Sequence, residues 1–248
     1  MELKRRLPAL LTGIALMAAA ALSGAGAVAA AETDGKEATY RVTVTNLAPG
    51  QPQTPPLVVV HSAKASIVEA GAPASEGLAQ LAENGNPQVL LDALAEDRAV
   101  GGVAVGEHPI VSGGIPGAAE VPSFATIEVS APTNARRISV ASMLICNNDG
   151  LSIVHDAKLP RKVGSSLALY SHAYDAGSEQ NTEAFADLVP PCQALVGVSG
   201  EAEGSGASDP ALAEGGVVSP HAGIAGEADL EAVAHAVAEN PALIVVER

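Results

Sequence analysis

Tyr40-Arg41-Val42-Thr43-Val44-Thr45-Asn46 puts Tyr40, Val42 and Val44 on one side of an extended chain and Arg41, Thr43 and Thr45 on the other. A period of two with β-branched enrichment is the pattern of a half-buried strand, and it excludes a helix, which would mix the two sets around its circumference. Leu47-Ala48-Pro49-Gly50 ends the ladder.

The same test finds further strands. Leu57-Val58-Val59-Val60 is a continuous apolar run, as in a strand buried on both faces. Ala125, Ile127 and Val129 alternate with Thr126 and Glu128, and Ile138 to Ile145 is apolar apart from Ser139 and Ser142. Leu167 with Leu169 and the run Leu243 to Val246 mark two more. Between them lie helical stretches. Ser75 can cap a segment bearing Leu78, Leu81 and Ala82 that stops at Asn84-Gly85, and Pro87 can open another with Val89, Leu90 and Leu94. Leu230, Val233, Ala234 and Val237 predict a third helix over Asp229 to Glu239, ended by Asn240-Pro241. The chain is thus expected to be mainly β, with short helices in the connections.

Residues 1–31 are read separately, as a secretory signal. Lys4, Arg5 and Arg6 form a basic start, Leu10 to Leu22 is apolar but for Thr12 and Gly13, and Ala29-Ala30-Ala31 offers a small-residue cleavage site before Glu32. The apolar run is shorter than the roughly 20 residues that span a bilayer, so no transmembrane anchor is expected after cleavage. Export to the periplasm, cell surface or medium follows. The remaining residues, 32–248, are read as one domain.

Removing 1–31, with Glu2 against Lys4, Arg5 and Arg6, takes away a net +2 and turns the formal charge of −15 into −17. Such a surface repels nucleic-acid phosphates and anionic lipid, and attracts cations. The apolar content of 48% is mostly Ala and Val, with aromatics limited to Tyr40, Phe124, Tyr170, Tyr174 and Phe185, so a core with extra fastening is expected. Cys146 and Cys192 are the only cysteines, and in an oxidising compartment they are expected to pair, closing a loop of about 45 residues that the chain-entropy model values at about 4 kcal/mol. Ser199 to Gly216 collapses to small and acidic residues and reads as a flexible loop.

The chemistry falls at two strand ends. Cys146-Asn147-Asn148-Asp149-Gly150 is a loop signal, and in Tyr174-Asp175-Ala176-Gly177-Ser178-Glu179 two carboxylates stand four apart around a glycine that lets a short loop aim both at one point. Calcium takes six to eight oxygens from carboxylates, amides, carbonyls and water, and Asn147 or Asn148 can add an amide oxygen. On spacing alone, turn chemistry and solvation explain these loops better than a metal site does.

Tyr40 to Asn46, His61-Ser62-Ala63, Ser142-Met143-Leu144 followed by Asp149, Tyr174 to Glu179 and the closing Asn240 to Arg248 together resemble the spondin domain family. The resemblance implies an antiparallel β-sandwich holding one calcium through an aspartate of the first loop and two acidic residues of the second, which fall on Asp149, Asp175 and Glu179. The chain departs from the family's matrix-protein members in having Cys146-Asn147-Asn148 before Asp149, no tryptophan after it, and glutamate at 179.

His61, His108, His155, His172, His221 and His235 show no zinc-helix spacing, and Gly197-Val198-Ser199-Gly200-Glu201 lacks the closing glycine of a nucleophile elbow. Two functions remain. The first is a non-enzymatic calcium-binding module for adhesion to a protein, glycan or envelope component. The second is an exported hydrolase whose triad is assembled from distant residues, with His155 or His172 as its base.

Overall fold

The alternation of Tyr40 to Asn46 is that of β1, Glu37–Asn46, in which alternate residues from Ala38 to Val44 are buried and the intervening ones face out. In the computed structural model, which describes residues 36–113, 115, 119–198 and 204–248, β1 is followed by nine further strands. The leader expected over 1–31 lies outside the described residues.

The strands are β2 (Leu57–His61), β3 (Val100–Val105), β4 (Phe124–Pro132), β5 (Arg137–Met143), β6 (Gly150–Lys158), β7 (Ser166–Tyr170), β8 (His172–Asp175), β9 (Ser219–Pro220) and β10 (Ala242–Glu247). They form two antiparallel sheets, in the orders β4-β1-β10-β7 and β3-β2-β5-β6-β8-β9. The protein is a mainly β, antiparallel β-sandwich. Its inner layer takes Tyr40, Val42, Ile127 and Ile244 from the first sheet and Val58, Val60, Ile138 and Val140 from the second.

The second sheet is covered on its other face as well. Helices α1 (Glu76–Asn84) and α2 (Gln88–Glu96) set Leu78, Leu81, Leu90 and Leu94 against Leu57, Val59, Leu151 and Ile153. This double burial is why β2 reads as an unbroken apolar run. α1 starts and stops as its sequence predicts: the Ser75 side chain accepts the Leu78 N–H, and Gly85 closes the helix in the left-handed region at φ 64°.

β3 meets β4 at one side of the sandwich with little room. A Cβ on Gly102 would lie 2.2 Å from the Ser130 carbonyl oxygen, so the sheets come together there because this residue has no side chain.

The helix expected over Asp229 to Glu239 is a single turn. His235 N–H reaches the Glu231 carbonyl at 2.9 Å, but Glu231 N–H donates into the His235 ring, Leu230 and His235 turn inward, and Val233 is 92% exposed. The periodic apolar set therefore has no surface to bury against as a helix. Of the acidic stretch read as a flexible loop, 204–216 is tied along the second carboxylate loop: Glu214 N–H reaches Ser178 O at 3.0 Å and Gly216 N–H reaches Gly177 O at 2.7 Å. Among the described residues no helix is long and apolar enough to cross a membrane.

Candidate functional site

β5 and β6 are joined by a tight connection in which Leu144 N–H donates to Gly150 O at 2.8 Å. The four residues from Cys146 to Asp149 are at most 2% exposed, unusual for so polar a loop. Each is held by a different part of the chain beyond β8. Cys146 is disulfide-bonded to Cys192 in helix α3 (Pro191–Val196), as its pairing in sequence predicts. Asn147 meets His221 at 2.8 Å, and Asn148 Oδ1 accepts Thr182 N–H at 3.1 Å. Asp149 Oδ2 accepts Ser178 N–H at 2.7 Å and Glu179 N–H at 3.1 Å.

That last arrangement brings the two predicted loops together. Gly150 pairs with Asp175 across β6 and β8, and Asp175 stands close enough to Asp149 to act on its ionisation. Burial, with the Asp175 charge second, pushes the Asp149 carboxyl up to about 6 against the pull of the Ser178 and Glu179 N–H groups. All these donors converge on one oxygen. Asp149 Oδ1 is buried and has no partner among the described residues. A buried carboxylate oxygen beside a second carboxylate is satisfied by a proton, an ordered water or a cation.

Asp175 is committed on both oxygens, with Gly177 N–H on Oδ1 at 2.8 Å and the Asn181 amide on Oδ2 at 2.6 Å, yet each keeps a free lone pair. The structure thus unites Asp149 with Asp175. Glu179 joins them through its backbone only. Its carboxylate turns toward Asp209, whose N–H it accepts at 3.1 Å, and burial, with Glu83, Asp149 and Asp209 nearby, pushes it up to about 7. Among the described residues no three His, Cys, Asp or Glu side chains converge as ligands on one point.

Hydrogen-bond logic also orients Asn147. Gly223 N–H donates to His221 Nδ1 at 2.8 Å, and burial lowers the pKa of this ring, so its single proton sits on Nε2. Nε2 then needs an acceptor, whereas Asn147 Nδ2 faces it and Asn147 Oδ1 lacks a partner. Rotating the amide by half a turn satisfies the contact and assigns the Asn147 oxygen to His221 rather than to a cation.

Two further features carry no mark in the sequence. Glu183, at φ 59° and nearly buried, accepts three successive N–H groups from Ala225, Gly226 and Glu227, which pull its carboxyl below the usual range although burial opposes them. Elsewhere His61 Nε2 contacts Ser139 Oγ at 2.8 Å, a serine–histidine pair, but both residues are 0% exposed and no substrate reaches them. His155 and His172, the histidines singled out for a hydrolase, lie on β6 and β8 with both residues exposed.

Fold and site define a β-sandwich with a buried, carboxylate-bearing loop at the β5–β6 end. No family model matches the chain, and no curated protein matches it either.

Proposed function

We propose that this protein is an exported, non-enzymatic β-sandwich module that binds one calcium ion at Asp149 and Asp175 and presents a surface to a protein, glycan or envelope component. The observation that carries the reading is Asp149 Oδ1, a buried carboxylate oxygen without a partner among the described residues, next to a second carboxylate. A hard cation is one group that fits such an oxygen, and calcium tolerates the irregular oxygen sets that loops provide. Asp149 and Asp175 would hold it, with backbone carbonyls and water completing the shell. The ion would supply positive charge and cross-linking, not catalysis. Glu179 enters that shell only by exchanging Asp209 N–H for the metal. The spondin resemblance, which implies Asp149 and Asp175 together with Glu179, supports the reading.

Calorimetric titration of the purified, chelator-treated protein with calcium chloride tests it. The expected result is one ion per chain, a melting temperature that rises with calcium, and loss of both in Asp175→Ala. An unchanged melting temperature and no heat of binding would overturn it.

A further inference from the structure

The ten Lys and Arg of residues 36–248 all fall toward one end of the sandwich, opposite the Asp149 end. Lys64 follows β2 and Arg98 precedes β3, where Ser62 N–H reaches Ala99 O at 2.8 Å. Arg136 and Arg137 stand at the start of β5, and Arg137 pairs with Lys158 at the end of β6. Arg161 and Lys162 lie in the β6–β7 connection, Lys36 precedes β1 and Arg248 follows β10. Backbone bonds tie these turns together across both sheets: Thr133 N–H to Lys36 O at 2.9 Å, Leu159 N–H to Arg136 O at 3.0 Å, and Gly164 N–H to Arg248 O at 2.7 Å. Arg41 sits further along β1, opposite Glu247 at the end of β10. The connections at the other end, from β1 to β2, β5 to β6 and β8 to β9, hold no Lys or Arg.

Six carboxylates share the basic end. Glu128 and Glu247 face Arg41 at 4.0 and 3.9 Å and Asp156 faces Arg137 at 3.1 Å, while Glu37, Glu96 and Asp97 make no ion pair among the described residues. Ten cations against six carboxylates leave this end positive, and the other seventeen carboxylates of the described residues lie elsewhere, where there is no Lys or Arg. The molecule is therefore polarised. With a Debye length of about 8 Å at physiological salt, a surface approaching the basic end is governed by the local charge, so the repulsion of anionic lipid expected from the net charge does not extend there. Between Lys162 and Gly164 this end also carries Val163, 88% exposed, on a turn that Gly164 closes at φ 79°. Among the described residues it has no exposed aromatic ring: Tyr40 is buried, and Phe124 and Tyr170 stand at the opposite ends of their strands.

We propose that the basic end docks the protein on the phosphate headgroups of an anionic bilayer, with Val163 leading and the Asp149 end held away. This takes the envelope component of the reading above to be lipid, and it needs no calcium. Cations spread over the ends of both sheets match a plane of anions, and each adds attraction while it lies within a Debye length of that plane. An apolar tip on a basic turn suits the bilayer interface: the valine enters the headgroup–acyl boundary, and Arg161 and Lys162 stay with the phosphates. An acidic glycan would have no ring here on which to stack its sugars. A second copy, offering its acidic end, would set Val163 among carboxylates.

The protein, in EGTA, is sedimented with sucrose-loaded vesicles of phosphatidylcholine alone or mixed with phosphatidylglycerol, at about 0.05 M and about 0.5 M sodium chloride. The expected result is sedimentation with the mixed vesicles only, lost at the higher salt. Arg161→Ser with Lys162→Ser removes two cations and weakens partition about tenfold or more. Ala211→Glu with Ala236→Glu lowers the net charge equally, at exposed sites away from this end, and changes partition less than about twofold. The sequence has no tryptophan, so Val163→Trp supplies a single reporter whose emission shifts to the blue on the mixed vesicles. No sedimentation with mixed vesicles at low salt overturns the proposal, as does equal weakening by the two double variants, or indole emission that stays that of a solvated ring. Retention on heparin without vesicle binding assigns the basic end to an acidic glycan instead, and vesicle-free dimers without vesicle binding assign it to a second copy; either overturns the lipid assignment. With EGTA present throughout, none of these outcomes bears on the calcium site, which the calcium titration tests separately.

Discussion

Ser178 N–H donates to Asp149 Oδ2 at 2.7 Å across 29 residues, and Glu179 N–H joins it on that oxygen, while the other Asp149 oxygen is buried with no partner among the described residues. The carboxyl is pushed from 3.8 to about 6, so the folded state holds its proton more tightly than the unfolded chain. The stability linked to this group is complete below pH 3.8 and is lost as pH rises through about 6. In chelator at pH 7.5, Asp149→Asn, which keeps an acceptor for the two N–H groups, is therefore expected to stabilise the protein by about 1–3 kcal/mol. If calcium binds as proposed, the order reverses in its presence, because the variant gains nothing from the ion. Thermal denaturation in EGTA and in calcium checks both signs, and a variant weaker than wild type in EGTA would contradict the account of the buried charge.

Glu183 carries the opposite sign. Its carboxylate takes three N–H groups from residues 225–227, and its pKa lies below the ordinary 4.5. Its contribution is complete above pH 4.5 and is lost as pH falls through the lowered value. Glu183→Ala strands the N–H groups at a cost of about 1–3 kcal/mol near pH 7. Urea midpoints of the variant and wild type are expected to differ at pH 7 and to converge in acid; curves that stay parallel down to pH 3 would rule this role out.

The fold shows where sequence patterns carry information. β1 is legible because one face meets solvent, and β2 because both faces are buried by different layers. β3 is not: Val100-Gly101-Gly102-Val103-Ala104-Val105 is half-buried throughout, so neither face marks it, and its glycines serve the close approach to β4. β6 hides behind the Asn-Asp-Gly turn signal at its start. The two acidic loops can be read as loops, and their meeting follows from the resemblance. The bare oxygen of Asp149 cannot be read, since burial of a loop aspartate depends on Ser178, Thr182 and His221 arriving from elsewhere. Glu183 is equally silent in Asn-Thr-Glu-Ala, because the N–H groups it holds are some forty residues away.

The β3–β4 contact gives a third prediction. A methyl at Gly102 would press on the Ser130 backbone, which cannot move without breaking its pairing with Thr39 in β1. Gly102→Ala is expected to cost about 2–3 kcal/mol. Gly113→Ala, where an added Cβ meets nothing within 4 Å, is expected to change stability by less than about 0.5 kcal/mol. Chemical denaturation of both variants checks the pair, and equal losses would refute the close-approach argument.

The buried serine–histidine contact separates structure from catalysis. His61 Nδ1 faces the Ser62 carbonyl at 2.8 Å and so carries the proton, which leaves Nε2 to accept from Ser139 Oγ. The same hydroxyl accepts Asp156 N–H at 3.1 Å, where Asp156 takes a positive φ of 51° and the β5–β6 register shifts. Ser139 therefore fastens an irregular stretch of two strands rather than attacking a substrate. Ser139→Ala leaves both the ring nitrogen and the Asp156 N–H unpaired in a dry interior, and a loss of about 1–3 kcal/mol is expected. The calcium binding proposed for Asp149, at the far end of β5 and β6, should be unaffected by this change. A serine-directed fluorophosphonate should leave the folded protein unlabelled, and labelling lost in Ser139→Ala would overturn the structural role.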